Sequence, residues 1–258
     1  MTASYVIITP VPEVIETVIR NSILRQAADK KIVEYHVLNL RDYASGSYRQ
    51  VDDAPFGGGS GMVMMPEPLF KAIEHGFELL GGPEDTEVIY PSPQGASWNH
   101  DEAHATSQNK KLILICGHYK GIDQRVIDRY VTREYSLGDY ITTSGELPAL
   151  IILDSIVRLI PGVLNTYESA LTDSFADELL DHPHYTRPRT LAGLSVPEIL
   201  LSGHHKQVEE WRQLQRETIT RRKRPDIWEK FLKKTDSGEL ENEQTRSSDK
   251  KSVKKRRP

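Results

Sequence analysis

The stretch from Leu112 to Gly145 constrains this chain most, because it holds two glycine-bearing loops that each follow a short apolar strand. Leu112, Ile113, Leu114, Ile115 and Cys116 form an uninterrupted apolar run of strand length, and Gly117 follows where a chain leaving a sheet must turn. A second exit runs through Tyr135, Ser136, Leu137, Gly138, Asp139 and Tyr140 toward Ser144 and Gly145, and a third lies at Val88 to Gly95. Ligands of open α/β sheets bind at the carboxyl ends of the strands, so three such exits predict one small-molecule pocket built largely of backbone. The usual phosphate fingerprints are missing. No G-x-x-x-x-G-K-[ST] occurs, and the run Gly57 to Gly61 fails the dinucleotide pattern because Met62 stands where its last glycine belongs. Taken singly, each glycine loop also reads as a tight turn and nothing more.

Hydrophobic periodicity places strands at Tyr5 to Ile8 and Val33 to Leu40, and helices at Glu13 to Ala28, Pro66 to Leu80 and Glu146 to Ile160. The last of these has a core face of Ala149, Leu150, Leu153, Ile156, Val157 and Ile160, and Pro161-Gly162 stops it, which puts Arg158 on its final turn. Tyr43 to Met65 is too long and too rich in glycine and charge for an ordinary connection, and reads as a lid over a site. After Leu164 the chain turns polar, which predicts a linker over 165–177. A small helical domain over 178–234 follows, with helices at Val196 to Leu201, Lys206 to Thr218 and Ile227 to Phe231. From Thr235 onward almost no aliphatic residue remains, so 235–258 reads as a disordered charged tail.

At 258 residues and 38% hydrophobic content, the chain suffices for one large domain and a small one. Its single cysteine, Cys116, ends an apolar strand and reads as a buried, inert thiol in a reducing, cytoplasmic protein. No apolar run is long enough for a membrane span or an export signal. The 33 Lys and Arg stand against 37 Asp and Glu, a net charge of -4, so any nucleic-acid footprint must be local. The best candidate is Arg221-Arg222-Lys223-Arg224, with Lys206, Arg212 and Arg216 on the helix before it.

The chain resembles the bacterial tRNA (guanine-N1)-methyltransferases of the TrmD type from about its first strand to Phe231. The resemblance rests on YRQVDDAPFGGGSGMVMMPEPL from Tyr48, YPSPQG from Tyr90, CGHYKGIDQRV from Cys116, SLGDY from Ser136 with GELPA from Gly145, RLIPGVL from Arg158, DSFADELLDHPHYTRP from Asp173 and LLSGHHKQVEEWR from Leu200. It implies a knotted fold of the SPOUT class: an S-adenosylmethionine-binding domain with a deep trefoil knot over 1–164, followed by a small C-terminal α-helical, tRNA-binding domain. It also implies a homodimer acting on tRNA, with methyl transfer to N1 of the guanine at position 37, immediately 3′ of the anticodon. Asp173 is then the general base and Arg158 the cation at guanine O6. Taken alone, Asp173 in Thr172-Asp173-Ser174-Phe175 reads instead as a helix N-cap. Carried over for the methyl donor are Tyr90, Ser92, Pro93, Gly117, Leu137, Gly138, Asp139, Tyr140, Ile141, Thr142, Gly145 and Pro148.

Three positions depart from the pattern. Ser144 and Pro91 change side chains beside the cofactor loops, and Lys120 puts a cation where many members have a glutamate associated with magnesium, so magnesium stays an open cofactor with no ligand set assigned. His100 and His104 fail the H-E-x-x-H pattern, and His182 and His184 read as surface or RNA-facing packing. Two other classes remain: a knotted methyltransferase acting on a ribose 2′-hydroxyl, which does not call for Asp173, and a non-catalytic RNA-binding module.

Overall fold

The computed structural model describes residues 2–164 and 173–236. The chain divides into two compact units, 1–167 and 168–258. The first is a mixed α/β unit around a five-stranded sheet. Its strands are β1 (Ala3–Thr9), β2 (Val33–Asn39), β5 (Thr86–Ser97), β6 (Lys111–Ile115) and β7 (Arg133–Ser136), in the order β2-β1-β6-β5-β7, with every pair parallel. Such a sheet must be covered on both faces, which is why its inner strands β1 and β6 carry continuous apolar runs. Tyr5, Ile7, Leu112, Leu114 and Cys116 face one core layer, together with α1 (Pro12–Ile19), α2 (Ser22–Asp29) and α6 (Glu146–Val157), and α4 (His100–Thr106) packs beside α6. Val6, Ile8, Ile113 and Ile115 face the other, with α3 (Pro66–Leu79) and α5 (Gln124–Tyr130).

The helix read over Glu13 to Ala28 is two helices. Ser22 has φ +51, and the Asn21 amide side chain donates to the Thr17 carbonyl at 2.6 Å, so a local polar contact displaces the helical ladder that periodicity alone would continue. The helix predicted to reach Ile160 ends at Val157, with Arg158 as its C-cap. All six of its expected core residues are buried.

The glycine-rich segment is anchored. Its ends form a small antiparallel ribbon, β3 (Asp52–Asp53) with β4 (Val63–Met64), and Val51 and Met64 are fully buried. Backbone bonds then tie β4 to the turn after β6: Lys120 donates to Met62 O, Met64 to Gly121 O, and Asp123 to Met64 O, each at 3.0 Å.

In the second unit, β8 (Thr190–Leu191) and β9 (Leu194–Ser195) form a hairpin, followed by a 3-10 turn at Glu198–Leu201, α7 (His205–Lys223) and α8 (Pro225–Asp236). The helix expected over Val196 to Leu201 is only that 3-10 turn, since the residue before Pro197 is pushed to extended backbone and the Val196 amide bonds back to Arg189 O. The other two helices run longer than their apolar cores suggested, and α8 absorbs Thr235 and Asp236 from the expected tail. Asn165 to Thr172, and 237–258, lie outside the described residues.

Strand β5 leaves its ladder with β7 after Pro91 and rejoins it at Ala96, both opposite Tyr135. The four residues between bulge out, and Gly95 closes the bulge because any Cβ there would strike the backbone of Glu134 and Tyr135. Gly145 repeats the device with an ordinary φ of -83°. Its amide donates to Gly117 O at 2.7 Å, and a Cβ would collide with Gly117 N. Gly145→Ala is therefore expected to cost about 3 kcal/mol, the upper end for overpacking. Gly58→Ala, with φ +77 in open space, should cost about 1 kcal/mol. Urea midpoints of the two variants check this, and a smaller loss at Gly145 would contradict the steric account.

Candidate cofactor cavity and catalytic groups

The carboxyl ends of β6, β5 and β7 are neighbours in the sheet, so the loops that leave them enclose one cavity of about 330 Å³. That volume lies in the range of small-molecule sites. Of the twelve residues carried over for the methyl donor, all border this cavity except Asp139, which lies outside the lining. Tyr90 is buried and lies across Gly117, where a Cβ would stand 2.7 Å from its ring. Burial raises the Tyr90 phenol above its usual pKa, keeping it neutral. Gly138 has φ +144 and lies against the Tyr140 ring. The wall is thus shaped by backbone and rings, with glycine wherever two of them meet.

Sequence reasoning assigned no role to His118, yet it borders the cavity and contacts the most buried acid of the unit. Its Nε2 lies 2.7 and 2.9 Å from the two carboxylate oxygens of Glu146, whose side chain is 2% exposed, and Thr9 Oγ1 donates to the same carboxylate at 2.5 Å. Burial alone would raise the Glu146 pKa, but hydrogen bonds from His118, Thr9 and Ser144 outweigh it and hold the carboxyl below its ordinary range. This knot of bonds joins the end of β1, the turn after β6 and the first turn of α6. The signal in the sequence was the acid opening an apolar helix, Glu146 before Leu147 and Pro148. Cys116, at the end of the same strand, is fully buried, and burial, then the nearby Glu146, pushes its thiol pKa well up, as an inert thiol requires.

Lys120 also lines the cavity, with its stem packed against Gly61. No lining residue is an aspartate or glutamate. This donor set does not fit magnesium, which takes oxygen ligands and usually a carboxylate. Among the described residues, the three-residue group of clustered ligand atoms lies in the second unit, at Asp181, His182 and His184. There His184 Nε2 is 2.8 Å from Asp181 Oδ2, and His182 packs near Trp211. His100 and His104 are not in such a group.

Arg158 is half-buried at the end of α6 in the first unit, and Asp173 begins the described part of the second. No helix follows Asp173: the next residues are turns, with Phe175 at φ +79 and Glu178 at φ +64, so the N-cap reading fails. Two side chains held in the left-handed region so close together mark a backbone fixed by its surroundings. Two of the anchors are on α7 and one lies within the turn itself. Thr220 accepts from the Leu180 amide at 2.8 Å, Arg216 pairs with Asp177, and the Asp181 amide bonds Ser174 Oγ at 2.9 Å. Arg216 is thereby a structural cation rather than a phosphate contact. Arg212 pairs with Glu209 and Arg224 with Asp226, while Arg221, Arg222 and Lys223 stay exposed on the last turn of α7.

The Glu146 cluster gives a pH test. A depressed folded-state pKa contributes stability above the unfolded value near 4.5, and this is lost as pH falls through the folded value. Glu146→Gln should therefore be less stable than wild type by about 1.5–3 kcal/mol at pH 7, with the gap narrowing below pH 4.5. Urea unfolding at pH 7 and pH 3.5 measures it; a gap that does not change with pH would remove the carboxylate from the account.

Residues 4–230 match the family model described as tRNA (Guanine-1)-methyltransferase TrmD. Relatives bearing the name tRNA (guanine-N(1)-)-methyltransferase include one from Clostridioides difficile, 48% identical over 88% of this chain and 98% of its own length. One from Christiangramia forsetii is 50% identical over 86% and 96%, and one from Staphylococcus epidermidis is 47% identical over 87% and 90%. A parallel α/β sheet, a cavity at the carboxyl ends of three adjacent strands and a family match over nearly the whole chain agree, and the chain belongs to the TrmD family of tRNA (guanine-1)-methyltransferases.

Proposed function

We propose that this protein transfers a methyl group from S-adenosylmethionine to N1 of the guanine at position 37 of tRNA, immediately 3′ of the anticodon. The observation that carries the reading is the backbone-lined cavity at the ends of β6, β5 and β7 in a chain of this family. The methyl donor brings an electrophile that is already activated, so the protein's work is positioning and making the acceptor nucleophilic. Tyr90, Ser92 and Pro93 at the β5 bulge, Gly117 after β6, and Leu137, Gly138, Tyr140, Ile141, Thr142, Gly145 and Pro148 after β7 hold the donor. Guanine N1 carries a proton and attacks poorly until it leaves. Asp173 accepts that proton, and Arg158 holds the negative charge that develops at O6. Magnesium takes no part in this scheme. Lys120 supplies a fixed cation at the cavity wall instead.

The loops after β5, β6 and β7 form the trefoil knot in this reading, and the glycine approaches at Gly95 and Gly145 are what threading requires of the backbone. The second unit is the tRNA-binding domain, with Arg221, Arg222 and Lys223 as its phosphate contacts. The protein acts as a homodimer. Among the described residues, Val14 and Val18 on α1 and Leu147 and Ile151 on α6 are large apolar side chains left exposed. Paired Leu147→Glu and Ile151→Glu changes should therefore give a monomer by sedimentation velocity at micromolar concentration. A wild-type protein that sediments as a monomer would refute the dimer.

Labelled methyl transfer to tRNA transcripts with guanine or adenine at position 37, followed by reverse transcription, tests the function. Methylation at N1 blocks Watson–Crick pairing, so a stop at position 37 is expected on the guanine transcript alone. Transfer to both transcripts without a stop would point to a ribose hydroxyl. Asp173→Asn should lower the single-turnover rate by about 10²–10⁴ with donor affinity unchanged. A fall of less than tenfold would remove Asp173 as the base.

A further inference from the structure

The run Asp181-His182-Pro183-His184 puts three metal-ligating side chains on one short stretch of the second unit, and the proline decides how they meet. Proline pushes the residue before it toward extended backbone, and on extended backbone side chains two apart share a face. The His182 and His184 rings accordingly lie 4.4 Å apart between centroids. Asp181 reaches both: its Oδ2 is 2.8 Å from His184 Nε2, and its Oδ1 is 3.8 Å from His182 Nε2. One ligand atom from each residue falls within a span of 4.8 Å.

The surrounding hydrogen bonds leave the atoms that a cation needs. His182 Nδ1 lies 3.1 Å from the Pro183 carbonyl, to which it can only donate, so the neutral ring keeps Nε2 as an acceptor. A backbone carbonyl on the far ring nitrogen is the usual companion of a metal-bound histidine. Asp181 Oδ1 accepts from the His182 amide at 2.7 Å, which fixes the carboxylate with Oδ2 turned toward His184. Nε2 of His182 thus faces a carboxylate oxygen, acceptor toward acceptor, and a cation between them relieves the repulsion. The cluster is anchored from behind. The Asp181 amide bonds Ser174 Oγ at 2.9 Å, the Leu180 amide bonds Thr220 on α7 at 2.8 Å, and the His182 ring packs near Trp211. In front it is open, since the His184 side chain is 69% exposed against 26% for Asp181 and 16% for His182.

We infer that Asp181, His182 and His184 bind one divalent transition-metal ion of the zinc class. Two imidazoles and a carboxylate suit zinc or cobalt rather than magnesium or calcium, and three protein ligands leave a fourth position for water on the open side. Tetrahedral ligand atoms stand about 3.3 Å apart, so the present pairs need to move by only about half an ångström each, which the exposed His184 ring allows. Through the Asp181 amide and Ser174 the ion clamps the turn that opens at Asp173. The site serves the fold of the second unit and needs no RNA.

The test titrates zinc chloride by calorimetry into chelator-stripped, tag-free, full-length protein. One ion per chain should bind with a micromolar or tighter dissociation constant, and cobalt chloride should give the visible absorption of a four-coordinate site. Magnesium chloride should give no heat assignable to this site. His184→Ala, at an exposed position that the fold does not need, should weaken zinc binding by about tenfold or more with an unchanged circular dichroism spectrum. Asp181→Asn, which removes the charge and keeps an oxygen for the His182 amide, should do the same. Zinc should also raise the Tm of wild type and leave that of His184→Ala in place. His204→Ala/His205→Ala, an exposed pair elsewhere in the second unit, should bind zinc as wild type does. No saturable zinc binding below millimolar concentration, or equal binding by wild type, His184→Ala and Asp181→Asn, would overturn the site. Loss of binding in the His204→Ala/His205→Ala variant alone would overturn it too. None of these readouts involves methyl transfer, so failure here leaves the tRNA reading to its own test.

Discussion

The backbone contact between Gly145 and Gly117 is the constraint on which the site depends. One amide donates to one carbonyl at 2.7 Å, and the approach is too close for any Cβ at Gly145. It brings the start of α6 against the turn after β6. Around it the other pieces fall into place: Glu146 reaches His118 and Thr9, Tyr90 lies over Gly117, and the loop after β7 is folded back to close the cavity. A buried carboxylate is costly unless its oxygens are bonded, and here the side chains of Thr9, His118 and Ser144 all bond to it. The close approach and the bonded acid therefore support each other: glycine lets the elements meet, and Glu146 makes any other arrangement leave a charge unpaired.

Much of this was legible in the sequence because burial on both faces writes an unmistakable pattern. The runs Tyr5 to Ile8 and Leu112 to Cys116 have the length and composition of central strands, and the six core residues of α6 follow from their spacing. The pocket at three strand exits followed from topology rather than from any motif. Local polar competition was harder to read. The break at Asn21 and Ser22 turns on one side-chain bond to Thr17, and the 3-10 turn at Glu198 on the residue before Pro197. The ribbon at Val51 to Met64 is two residues wide on each side, too short to register as strands, yet its buried ends change a free lid into an anchored one.

Charge was the least legible property. A basic residue counts the same in composition whether it faces solvent or a carboxylate, and Arg216 proved to belong to the second kind. Its pairing with Asp177, with Thr220 on the Leu180 amide, fixes the turn that follows Asp173. Lysine and arginine on one helix thus do two jobs, and only packing separates them. His118 shows the converse: one histidine among nine in the sequence, distinguished only by the carboxylate that it meets.

The central claim is that the loops after β5, β6 and β7 hold the methyl donor. A crystal structure with S-adenosylhomocysteine, soaked or co-crystallised at saturating concentration, tests it most directly. The account predicts continuous ligand density in the cavity bordered by Tyr90, Gly117, Leu137 and Gly145, with polar contacts made chiefly by main-chain atoms. Density at another place on the protein, with this cavity holding only solvent, would contradict it.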